Sequence, residues 1–169
     1  MTLLAPPPIK LVPFHLKPSE LLVSRDPYEV TTVLGSCVAV TMFSLRFGLA
    51  AICHAMLPAP GQGRCDGVRS KDPFKFVAIV VPAMVEAFRR AGLKAAEIEV
   101  KIFGGANLMN RHEGRPCPQC VGPANVRMAS LLLQQEHLQI RAANVGGYCG
   151  RKIVFNTHTG EVLHKHLAV

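Results

Sequence analysis

Tryptophan is absent from the 169 residues, and tyrosine occurs only twice. Base-stacking platforms are therefore scarce, which argues against nucleic-acid binding despite a formal net charge of +8. The positive residues are scattered rather than clustered. No apolar run approaches the ~18 residues of a membrane span, so membrane insertion is not expected. The opening Met1-Thr2-Leu3-Leu4-Ala5-Pro6-Pro7-Pro8 offers neither a basic n-region nor a long apolar core, so it does not read as a signal peptide. No internal repeat and no domain linker is visible. A Cys-x-x-Cys occurs at Cys117–Cys120, preceded by His112, but no second such pair follows. Half a zinc site is thus the most it could supply, and a plain or redox-sensitive loop is the simpler reading.

Those absences leave a globular chain with 49% hydrophobic residues, too many for disorder. Its length suits one compact domain that needs no disulfide staples. The six cysteines show no scaffold spacing, so the reading is a reducing cytoplasm with each thiol free, metal-bound or catalytic.

Residues 1–20 hold five prolines and read as an irregular lead-in to a domain over 21–169. Strands are expected at 29–34, 38–44, 49–56, 97–103, 138–142, 151–156 and 161–165. Helical spacing runs from Phe74 to Ala91, with Gly92 as a stop. Pro82 inside it predicts a kink or a late start. A second helix is expected over Ala124–Gln135. Residues 57–73 and 110–123 read as loops. The mixture is α+β.

The strands at 38–44 and 49–56 flank Leu45-Arg46-Phe47-Gly48 and read as a hairpin. With 45–48 as the turn, Ser44 faces Leu49 and Cys37 faces Met56. His54 then projects from the same face as Cys37, as a diagonal neighbour about 7–8 Å away at the backbone. Cys37 directly follows Gly35-Ser36, a small-residue turn that admits a substrate and leaves N–H groups for an oxyanion. A nearby imidazolium would lower the thiol pKa. A buried strand cysteine beside a core histidine is the plain alternative, and local features alone leave it open.

Thr31-Thr32-Val33-Leu34-Gly35-Ser36-Cys37-Val38-Ala39-Val40 resembles the signature of the CheD family, chemoreceptor glutamine deamidases of bacterial chemotaxis. His54-Ala55-Met56-Leu57-Pro58 matches it too. Further matches follow in order: Lys101 to Asn107, Gly122 with Asn125, Val145-Gly146-Gly147 with Gly150-Arg151-Lys152, and Thr159-Gly160.

The resemblance implies hydrolysis of selected glutamine side-chain amides on methyl-accepting chemoreceptors, giving glutamate, with methyl-ester hydrolysis at similar sites. It implies Cys37 as nucleophile, His54 as its partner and Thr31 as the third residue, with Thr32 one position away. Gly35, Ser36, Gly104, Gly105 and Asn107 would frame the site and its oxyanion. No metal or organic cofactor is required by that chemistry. The implied fold is a layered sandwich of mostly antiparallel β-sheets flanked by helices. The resemblance also permits an adaptor that docks on receptors or on a CheC-type phosphatase with catalysis lost. Phe76, Ala78, Ala124 and Asn144 depart from the family pattern. Arg151-Lys152 reads by default as a solvated pair.

Overall fold

The computed structural model describes residues 9–61, 71–108 and 120–167. Nine strands and two α-helices are placed there. The strands are β1 (Val12–His15), β2 (Leu21–Ser24), β3 (Tyr28–Leu34), β4 (Val38–Ser44), β5 (Leu49–Cys53), β6 (Glu99–Gly104), β7 (Ile140–Val145), β8 (Arg151–Asn156) and β9 (Val162–His166). The helices are α1 (Val77–Arg90) and α2 (Val121–Gln135). The fold is α+β. One sheet has the order β1-β3-β8-β9 and the other β2-β5-β4-β6-β7. Only the β1–β3 and β6–β7 pairs are parallel, so both sheets are mostly antiparallel.

Burial explains the layering. Every residue of β4 and β5 is buried, as strands covered on both faces must be. Alternate residues serve alternate layers. Val38, Val40, Met42, Ala51 and Cys53 pack beneath α1 and α2, with Val80, Met84, Phe88, Ala129 and Leu133. Ala39, Phe43, Ala50 and Ile52 face the other sheet, against Val30, Leu34, Ile153 and Phe155. The helices therefore cover one face of the five-stranded sheet, and the four-stranded sheet covers the other.

Several local expectations shift. The first strand, β1, lies inside the stretch read as an irregular lead-in, and Leu16 after it is buried in the core. Pro13 conceals the strand in the sequence, yet proline is tolerated there because β1 sits at a sheet edge. The second strand, β2, likewise falls where the sequence pattern gives no strand. The first helix starts late, at Val77, after a short 3-10 turn at Pro73–Lys75, with the exposed Pro82 retained inside it. The second starts three residues earlier than expected, at Val121. Residues 62–70 and 110–119 of the two expected loops lie outside the described residues, as does 109, and with them Cys65, His112 and Cys117.

Candidate active site

The register predicted for the hairpin is the one observed. Ser44 pairs with Leu49 and Thr41 with Ile52. The same register continues past the strand ends, where Val38 and Ala55 exchange two backbone hydrogen bonds of 2.9 Å. Cys37 therefore stands opposite Met56, with His54 on its face of the sheet. That face looks into the layer between the two sheets, and Cys37 packs half-buried against its edge. The chain crosses from one sheet to the other at Gly35-Ser36-Cys37, between β3 and β4. The thiol thus sits where the layer between the sheets opens.

His54 is held from the four-stranded sheet and from the N-terminal segment. Its ring is buried, with 3% of the residue exposed. Its Nδ1 lies 2.8 Å from the Thr32 hydroxyl. That hydroxyl donates its one proton to the Leu16 carbonyl at 2.8 Å. The hydroxyl oxygen must then accept from Nδ1–H, because it has no second proton to give. Hydrogen bonding thereby assigns the Nδ1–H tautomer and leaves the Nε2 lone pair free for a proton. The His54 backbone is fixed as well. Its N–H donates to the Glu20 carbonyl at 3.0 Å, and its carbonyl accepts from the Ser19 N–H at 2.8 Å.

The threonine in contact with His54 is Thr32, not Thr31. In β3 the residues Val30, Thr32 and Leu34 are buried and Glu29 and Val33 exposed. A strand alternates its faces, so Thr31 projects from the opposite side, away from the imidazole. The resemblance alone pointed one residue too early for this contact.

The charge state also differs from the expected thiolate beside an imidazolium. Burial pushes the Cys37 thiol up, opposed by its own N–H beside the sulfur. Burial pushes His54 down to about 4, opposed by the Leu16 carbonyl. Both changes favour uncharged forms, so the resting pair is an uncharged thiol and a neutral imidazole on one face of the sheet. Cys53, deep under the helices, is pushed up to about 12 by burial, which leaves it inert. Cys149 is free and half-buried. Cys120 is disulfide-bonded, a departure from the expectation that each thiol is free, metal-bound or catalytic.

Of the other residues expected to frame the site, Gly104 and Gly105 meet the Cys37 loop directly. The Gly105 N–H donates to the Cys37 carbonyl at 2.7 Å, and the Ala106 N–H to the Gly35 carbonyl at 2.9 Å. Gly104 has φ +105°, and a Cβ there would lie 2.2 Å from the Cys37 carbonyl oxygen. No side chain fits that approach. Asn107 is buried, and its N–H donates to the Gly147 carbonyl at 2.8 Å. The Leu108 side chain lies over Gly35.

Two side chains carry more of this scaffold than their sequence context suggests. Arg151 is 2% exposed, not a solvated partner of Lys152. Its guanidinium donates to the Asn144 and Gly146 carbonyls and, at 2.8 Å, to Asn144 Oδ1. It thereby holds the turn that Asn107 grips. Asn125 on α2 is fully buried, and its Nδ2 donates at 3.0 Å to the carbonyls of both Ser36 and Met56. The sequence marks Asn125 only as a family match with no stated role, because its contacts span 69 and 89 positions.

A thiol, an imidazole of fixed tautomer and a supporting hydroxyl form the equipment of a cysteine-nucleophile hydrolase. The comparisons with known proteins agree. Residues 56–166 match the family model CheD, described as CheD chemotactic sensory transduction. "Probable chemoreceptor glutamine deamidase CheD 2" of Geobacter sulfurreducens is 45% identical over 94% of this chain and 92% of its own. That span includes both Cys37 and His54. "Probable chemoreceptor glutamine deamidase CheD" of Oleidesulfovibrio alaskensis is 45% identical over 90% of this chain and 72% of its own. Among solved structures, the hypothetical protein YfiH of Bacillus licheniformis gives a TM-score of 0.47 at 16% identity. It covers 73% of this chain and 49% of that one, a likeness too weak to bear on function. The chain belongs to the CheD family.

Proposed function

We propose that this protein deamidates glutamine side chains of chemoreceptors, with Cys37 as the nucleophile and His54 as its acid–base partner. The observation that carries the reading is the Thr32–His54–Leu16 hydrogen-bond chain, which presents a neutral imidazole with a free Nε2 on the face that bears the thiol. The relatives' names supply the substrate.

The steps follow from these groups. Nε2 takes the thiol proton as sulfur bonds to the glutamine carboxamide carbon. The carbonyl oxygen becomes an oxyanion, stabilised by the backbone N–H groups of Ser36 and Cys37. Nε2–H then protonates the amide nitrogen, the C–N bond breaks and ammonia leaves. Water attacks the remaining thioester and gives a proton to Nε2. That proton returns to sulfur as the C–S bond breaks and glutamate is released. Thr32 and the Leu16 carbonyl hold the imidazole and stabilise the imidazolium formed in passing. Gly104 and Gly105 keep the loop in place.

An adaptor that docks on a CheC-type phosphatase, with catalysis lost, retains one argument. Burial disfavours both charged forms of the pair. Turnover separates the two readings. A purified receptor cytoplasmic fragment should release ammonia with the wild-type protein and none with folded Cys37→Ala. Equal release from both would remove Cys37 from the reaction, and none from either would favour the adaptor.

A further inference from the structure

We infer that Asn125 positions the oxyanion donor of this site, acting through the Ser36–Cys37 peptide plane. The inference rests on the deamidase reading above and adds to it a side chain that touches no substrate. In a trans peptide the carbonyl and the following N–H point in opposite directions. Three consecutive carbonyls in the nucleophile loop are each held by a donor. The Gly35 carbonyl accepts from the Ala106 N–H at 2.9 Å and the Cys37 carbonyl from the Gly105 N–H at 2.7 Å. Between them, the Ser36 carbonyl accepts from Asn125 Nδ2 at 3.0 Å.

Each anchor turns the next N–H the other way. The Val38 N–H shows the rule, reaching the Ala55 carbonyl at 2.9 Å on the side away from Gly105. The Cys37 N–H is likewise turned from Asn125, and it stands beside its own sulfur. Among the described residues, neither the Ser36 nor the Cys37 N–H has a carbonyl to satisfy it. Two adjacent donors are thus left unpaired in the nucleophile loop, and the Cys37 N–H lies at the sulfur, where a carbonyl carbon bonded to it would place its oxygen. Of the three anchors, only that on Ser36 is a side chain.

The second bond of Asn125 fixes the strand opposite. Its Nδ2 also reaches the Met56 carbonyl at 3.0 Å, and Met56 faces Cys37 in the hairpin register. One amide group therefore ties both sides of the thiol to α2. Its orientation is settled by chemistry, since only the nitrogen can donate to two carbonyls. The arrangement has a cost. Asn125 Oδ1 is buried with no hydrogen-bond partner among the described residues. A residue kept for stability alone would gain from a partner there, whereas one kept to aim a peptide tolerates the loss.

The test separates aiming from packing. Asn125→Ala should lower kcat for ammonia release from a receptor cytoplasmic fragment by about 100-fold, the scale of losing one oxyanion donor, with KM little changed. Alkylation of Cys37 by iodoacetamide forms no oxyanion. Its rate should therefore fall by far less than kcat, only through the weaker support the Cys37 N–H gives the sulfur. If Asn125→Ala fails to fold, Asn125→Thr serves instead, since its hydroxyl can bond the helix carbonyl one turn back. A kcat near wild type in either folded variant would overturn the inference. So would a parallel fall in kcat and alkylation, which marks a collapsed loop. A wild-type protein without turnover would overturn the deamidase reading first, and the inference with it.

Discussion

Replacing Thr32 by valine removes one hydroxyl and nearly nothing else, because the two side chains have the same shape. The hydroxyl is buried, with 1% of the residue exposed, and serves two partners at 2.8 Å. Its loss leaves the Leu16 carbonyl and His54 Nδ1–H to find each other or go unpaired. A buried polar group left unsatisfied costs about 1–3 kcal/mol. For a chain of this size that is a fall in Tm of about 2–12 °C. The effect on turnover has a separate source. Without the hydroxyl, the ring is free to turn or to take the other tautomer, which carries its proton on Nε2 and cannot accept one from the thiol. Supporting partners of this kind are worth roughly 10–100-fold in activity. The control is Thr31→Val, on the opposite face of β3 and clear of the imidazole. Ammonia release from a receptor fragment should fall with Thr32→Val and stay near wild type with Thr31→Val. Nitrogen NMR of labelled His54 should show Nδ1–H in wild type and a mixed state in Thr32→Val. The reverse order of the two variants, with Thr31→Val the more damaged, would refute the positioning argument.

Two further outcomes follow from the same geometry. His54 titrates at about 4 in the fold against an ordinary 6.5. The unfolded chain therefore binds the extra proton first, so this contribution is complete above pH 6.5 and is lost as pH falls toward 4. The gap is worth about 3 kcal/mol. Urea unfolding of wild type should weaken over that range more than His54→Gln does, and equal slopes would count against a buried neutral imidazole. Gly104→Ala would force a Cβ to 2.2 Å from the Cys37 carbonyl oxygen, at φ +105°. It should cost about 3–5 kcal/mol in urea unfolding and suppress turnover. A variant as stable and active as wild type would show that the Gly104–Cys37 approach is not required.

Much of this was legible in the sequence for physical reasons. A hairpin register depends on turn length and on period-two alternation, and both are local. Leu45 to Gly48 set the turn, and from it followed the shared face of Cys37 and His54. The features that escaped are long-range or sit against propensity. Prolines hid β1, which an edge position tolerates, and with it the Leu16 carbonyl that fixes the His54 tautomer. Thr31 and Thr32 are alike in type, and only strand parity separates them. A one-residue error therefore changes the face. Arg151 looked solvated because a basic pair usually is. The turn at Asn144 and Gly146, with three acceptors for its guanidinium, is visible only in the fold. The uncharged resting state of the thiol and imidazole is likewise a property of burial. The resemblance to the CheD family came from ordered motifs, and the family match and relatives support it.

The central claim is that Cys37 attacks a protein glutamine carboxamide and passes through a thioester. A receptor cytoplasmic fragment should be incubated with wild type or Cys37→Ala in water enriched in heavy oxygen, then mapped by mass spectrometry. Particular glutamines should become glutamates carrying one oxygen from the solvent, only with the wild-type protein. Brief acid quenching should trap a receptor peptide on the Cys37 thiol. Receptor glutamines left unchanged by the wild type, or converted equally by Cys37→Ala, would contradict it.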